Sequence, residues 1–188
     1  KFPFEFGFDI EYLLQQDWLT VTYKVKNTGN DDMYFSVGGH PAFKVPIVEG
    51  TAYDDYYLEF NKTENAGRWP ISAEGLIETD AEPFLLNTNK LPLRKELFYR
   101  DAIVFKNLLS DTVRLRSSKH DKGIEFNFPG FPYLGVWAAK DADFVCIEPW
   151  CGIADSVNSN QQLTEKEGIN RLAPQGIFER SWGVGFEI

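Results

Sequence analysis

Apolar and polar side chains alternate one for one through much of this sequence, and a chain so patterned cannot gather its apolar half on one stripe of a helix. Leu19, Val21, Tyr23 and Val25 alternate with Thr20, Thr22, Lys24 and Lys26, the period of two expected of a strand with one wet face. The turn formers Asn27 to Asp32 come next and lead into Met33–Val37, which reads as strand, turn, strand. Val113 and Leu115 alternate with Arg114 and Arg116, and a turn over Lys119–Gly123 leads into Ile124, Phe126 and Phe128, a hairpin. Near the end, Phe178, Arg180, Trp182, Val184, Phe186 and Ile188 share one face of a long closing strand. Helical spacing is nearly absent, with short turns at Leu93–Phe98 and Gln161–Gly168 as the best candidates. Short strands punctuated by 10 prolines and 15 glycines imply an all-β antiparallel sandwich. A length of 188 residues suits one domain over 1–188, at about 150 residues per domain. Phe2, Phe4, Phe6 and Phe8 already lie on one face of a strand pattern. The expectation is therefore that upstream strands belong to the same fold and that this is the C-terminal part of a longer chain.

Charge narrows the partners. A formal net charge of -9 repels phosphate backbones and anionic headgroups, so neither nucleic acid nor a membrane surface is an expected partner. No apolar run approaches the roughly 20 residues of a membrane helix, and no leader pattern opens the sequence. A soluble, cytoplasmic protein is expected. Cys146 and Cys151 could form a disulfide or half a metal site. The plainer reading is two packed thiols, because a chain of this size has core enough without staples. With His40 and His120 the only histidines and no CxxC or HExxH spacing, no metal and no cofactor is expected.

Two segments carry chemistry. In Val37-Gly38-Gly39-His40-Pro41-Ala42-Phe43, paired glycines let the backbone leave a strand and a proline stiffens the chain just after the histidine. In Phe144-Val145-Cys146-Ile147-Glu148-Pro149-Trp150-Cys151-Gly152, a strand ends in a carboxylate whose pKa burial would raise. On residue type alone each has an ordinary explanation: a histidine after Gly-Gly is more often a turn residue, and a Glu before Pro is usually solvated. His120, in a charged turn, reads as surface, and Asp101 reads equally well as a cap.

Taken together, Gly39-His40-Pro41-Ala42-Phe43, Arg100-Asp101-Ala102-Ile103-Val104-Phe105, Cys146 to Gly152 and Glu165-Lys166-Glu167-Gly168-Ile169 resemble the ordered signatures of the aldose 1-epimerase (galactose mutarotase) family, in its LacX-like branch. The resemblance implies a galactose mutarotase-like supersandwich and the interconversion of the α and β anomers of a free aldohexose. It implies His40 as general acid, Glu148 as general base and Asp101 as a ligand of a sugar hydroxyl. Family members also carry an upstream segment, typically supplying an arginine and another histidine to the substrate. Phe43 and Trp150 are the aromatic candidates for the apolar face of the sugar ring, whereas Phe131 reads as core. Three rivals remain: a glycoside hydrolase, which needs two carboxylates roughly 5–9 Å apart; a non-catalytic carbohydrate-binding protein on the same fold; and a hexose 6-phosphate epimerase. The last needs a basic cluster, to which Lys44 and Arg68 could contribute.

Overall fold

The computed structural model describes residues 2–187. Fourteen strands run in chain order: β1 (Phe6–Gln15), β2 (Trp18–Asn27), β3 (Met33–Phe35), β4 (Val37–Gly38), β5 (Ala42–Lys44), β6 (Tyr56–Arg68), β7 (Glu82–Pro92), β8 (Ile103–Lys106), β9 (Thr112–Ser117), β10 (Gly123–Asn127), β11 (Tyr133–Trp137), β12 (Phe144–Cys151), β13 (Asn170–Leu172) and β14 (Ile177–Glu187). Three short 3₁₀ turns accompany them, two of which, Lys95–Phe98 and Leu163–Glu165, fall in the segments expected to turn. A seven-stranded sheet has the order β1-β2-β14-β10-β9-β6-β7; a second has β4-β12-β11-β8, with β5 also on β12. Every strand pair is antiparallel, so the expected all-β sandwich is what forms.

The alternation explains why the sheets face each other. Val21, Leu58, Val113, Phe126 and Val184 from the larger sheet join Ile103, Phe105, Leu134, Val136, Val145 and Ile147 from the smaller one in a single apolar core. Each such side chain contributes about 1.5–3 kcal/mol by leaving water. The β9–β10 hairpin pairs Leu115 with Ile124 as the pattern implies. Met33–Phe35 does not fold back on β2; β2 is flanked by β1 and β14, and β3 pairs with β13. The turn at Asn27 redirects the chain because the Asn27 side chain is buried and committed, its Nδ2 donating to the Asp31 and Leu172 carbonyls at 2.8 and 2.9 Å. Ile188, expected on the closing strand, lies outside the described residues.

β1 is an edge strand with an open apolar face: Phe6, Phe8 and Ile10 are each 44% exposed. Among the described residues, no helix is long and apolar enough to cross a membrane.

Candidate active site

The second sheet uses its two faces differently. Along β12, Val145, Ile147 and Cys151 point into the core, leaving Cys146, Glu148 and Trp150 on the opposite face. The neighbouring strand does the same, with Leu134 and Val136 of β11 in the core and Tyr133, Gly135 and Trp137 beside Trp150, Glu148 and Cys146.

His40 reaches this face through an interrupted ladder. β4 pairs with β12 as Gly38↔Trp150, and β5 pairs with it as Ala42↔Cys146. The register is the same on both sides of the gap, so His40 falls opposite Glu148. Two backbone hydrogen bonds hold the gap shut: the Gly39 N–H donates to the Pro149 carbonyl at 3.0 Å, and the Ile147 N–H donates to the Pro41 carbonyl at 3.2 Å. Glycine is required at residue 39, because a Cβ there would lie 2.9 Å from Trp182 Nε1 and 3.0 Å from the Tyr23 hydroxyl. The result is His40 Nε2 at 3.3 Å from Glu148 Oε1, with the imidazole edge-on to Trp137 at 5.8 Å between centroids.

Burial raises the Glu148 pKa, because desolvation disfavours its charged form. The imidazole of His40 and a hydrogen-bond contribution from Trp150 pull the other way, and the negative charge of Asp101 adds to the rise. The Cys146 thiol is pushed up to about 12, chiefly by burial and then by Glu148. One ligand atom from each of His40, Cys146 and Glu148 lies within 4.8 Å of the others.

A cavity of about 450 Å³ opens beside His40, lined also by Gly38, Trp150, Ile71, Ile77, Val104 and Ile153 among others, a size suited to a small ligand. The Trp150 indole lies flat against the sheet because its neighbours lack side chains. A Cβ on Gly135 would sit 2.5 Å from the indole, and one on Gly38 would sit 2.7 Å from it. The fourth sequence signature packs against β8 and β11. Lys106 Nζ lies 3.7 Å from the Trp69 ring centroid and donates to both Glu167 carboxylate oxygens at 2.8 Å. Gly168, at φ +71°, sits where a Cβ would meet the Tyr133 hydroxyl at 2.4 Å.

The residues singled out from sequence fall in different places. His40, Glu148 and Trp150 come together. Asp101 is exposed, accepts the Ala102 N–H at 2.7 Å in the manner of a cap, and lies near enough to Glu148 to raise its pKa. Phe43 is a correction: its register partner is Val145, which places it on the core face against Phe126 at 5.9 Å, turned away from the cavity. Phe131 is core, as expected. His120 is also a correction, since its Nε2 is 2.9 Å from the hydroxyl of buried Tyr56. Both cysteines are free and buried. Cys146, which the sequence offers as half a disulfide or metal site but which reads more plainly as a packed thiol, shares a face with Glu148 because the two are two apart on a strand.

Comparison with known proteins agrees with this architecture. The aldose 1-epimerase family model matches residues 1–168. The chromosomal protein LacX of Lactococcus lactis is 33% identical over 98% of the chain. Among solved structures, a galactose mutarotase related enzyme from Lactobacillus acidophilus superposes with a TM-score of 0.90 at 30% identity over 100% of the chain. A galactose mutarotase-like protein from Lactobacillus casei gives 0.88 at 28% identity, again over 100% of the chain and 65% of its own. The chain spans 63% of the length of the LacX protein and of the L. acidophilus structure.

Proposed function

Because the chain belongs to the aldose 1-epimerase family, we propose that it interconverts the anomers of a free aldohexose, with His40 and Glu148 moving the protons. The observation that carries the proposal is the 3.3 Å approach of His40 Nε2 to Glu148 Oε1, with His40 itself lining a cavity of about 450 Å³. Glu148 accepts the proton of the O1 hydroxyl while protonated His40 donates to the ring oxygen, so the C1–O5 bond breaks without a free alkoxide. Rotation about C1–C2 turns the other carbonyl face towards O5. The reverse transfers then close the ring as the opposite anomer.

The raised pKa of Glu148 suits this role, since a general base works best when its pKa lies nearer the working pH than that of an ordinary carboxylate. Trp150, flat beside Glu148, offers an apolar surface for the C–H face of a sugar ring. Asp101, exposed and near Glu148, is assigned to a sugar hydroxyl.

The lining supports a neutral sugar over a phosphorylated one: no lysine or arginine is among the described residues that line the cavity. Arg68 is occupied by Glu82, its Nε donating at 2.8 Å, and by the Phe84 ring. Polarimetry on freshly dissolved α-glucose and α-galactose tests the proposal. Faster mutarotation with protein than without is expected, and an unchanged rate with every aldose tried would reject it.

A further inference from the structure

We propose that His40, Cys146 and Glu148 together bind a thiophilic divalent cation, Zn²⁺ being the type, and that its binding silences the acid–base pair. The three supply one nitrogen, one sulfur and one carboxylate oxygen within 4.8 Å of one another. That is the donor set of a zinc site with three protein ligands and an open fourth position. Zinc–ligand bonds of roughly 2.0–2.3 Å in a tetrahedron put ligand atoms about 3.5 Å apart, so the set must contract by about 1 Å. The side chain able to move is His40, which is 61% exposed on its loop, whereas Cys146 and Glu148 are held two residues apart on β12.

Charge favours a dication here. Cys146 and Glu148 are two buried acid side chains within 4.8 Å of each other on one face of β12. On binding, the thiol proton passes to solvent, and thiolate, carboxylate and dication sum to no net charge, which removes the penalty for burying two anions. Hard cations are selected against, because Mg²⁺ and Ca²⁺ want six or more oxygen ligands. Zinc spacing motifs in a linear sequence cannot reveal such a set, since its members come from β12 and from the gap between β4 and β5.

The cation site stands on the three ligands alone; only the silencing rests on the function proposed above. Once bound, His40 has given up its ring lone pair and Glu148 its oxygen, so neither is available to a sugar.

Titration of the purified protein with Co²⁺, followed by competition with Zn²⁺, tests the site. A one-equivalent thiolate-to-cobalt charge-transfer band is expected. It should be lost in Cys146→Ser and kept in Cys151→Ser, whose thiol faces the core. His40→Ala, at an exposed position that does not endanger folding, should weaken Zn²⁺ binding by about 10-fold or more. No thiolate band in the wild type, a band surviving Cys146→Ser, or unweakened binding by His40→Ala would each overturn the site. Zn²⁺ should slow mutarotation with the same half-point as binding; binding without slowing overturns the silencing. If the protein accelerates no mutarotation at all, the band still decides the cation site.

Discussion

His40 and Glu148 meet at 3.3 Å with opposite exposures, the histidine side chain 61% exposed and the glutamate 5%. The pair therefore joins a movable group on a loop to a fixed one on a strand.

Removing either group should abolish most of the rate enhancement. We expect His40→Asn and Glu148→Gln each to lower kcat by roughly 10²–10⁴. The double variant should lose little more than the worse single one, since the two act as a unit. His40→Asn should leave stability within about 0.5 kcal/mol, as exposed substitutions usually do. Polarimetry and thermal melts check both statements, and wild-type rates in the two single variants would refute the assigned roles.

The pH dependence arises from burial of Glu148. Its folded pKa is raised, so the folded state holds the proton to higher pH than the unfolded chain does. The group's contribution to stability is thus fully present below its unfolded pKa and lost as pH rises through the folded value. Glu148→Gln cannot ionise, so its Tm relative to wild type should rise with increasing pH and show least advantage near the ordinary value of about 4.3. For the same reason the acid limb of the wild-type kcat/KM profile should lie above that value. Melts from acid to neutral pH would reveal an advantage that fails to grow.

Trp150 depends on its two bare neighbours. Gly135→Ala places a Cβ 2.5 Å from the indole, and Gly38→Ala places one 2.7 Å from it. Each should cost about 1–3 kcal/mol by overpacking and shift the tryptophan near-ultraviolet circular dichroism. Urea denaturation of both variants checks the cost.

Glu64 is a buried acid with a purely structural task. It accepts the Leu109 and Ser110 N–H groups at 3.1 and 2.7 Å and the Ser110 hydroxyl at 2.6 Å, at 1% exposure. Glu64→Ala would orphan two backbone donors, each worth about 1–3 kcal/mol when buried unpaired. The chemical-denaturation midpoint should fall sharply, and an unchanged midpoint would show that water replaces the carboxylate.

The strands were legible because burial on one face imprints a period of two, as in β2, β9, β10 and β14. Pairing was less so. The segment after Asn27 reads as a return strand, yet β3 joins β13, some 135 residues away, and no local pattern encodes a partner so distant. His40 and Glu148 were found through motif resemblance; their adjacency depends on two short ladders sharing one register. Phe43 was misplaced because an aromatic in a site motif carries no sign of which face it takes. Parity settles it, since His40 and Ala42 share a face that Phe43 does not. Cys146 reads in sequence as a packed thiol paired in thought with Cys151, because its nearness to His40 and Glu148 exists only in the folded sheet.

On β12, Ile147 packs into the sandwich core while Cys146 and Glu148 on either side of it face His40. Mutational drift on this strand is thus sorted by odd and even position: even positions can be retuned for a new ligand while the odd ones keep the fold standing. Loss or gain of one residue in the segment would swap the two roles wholesale, so diversification here must proceed by substitution.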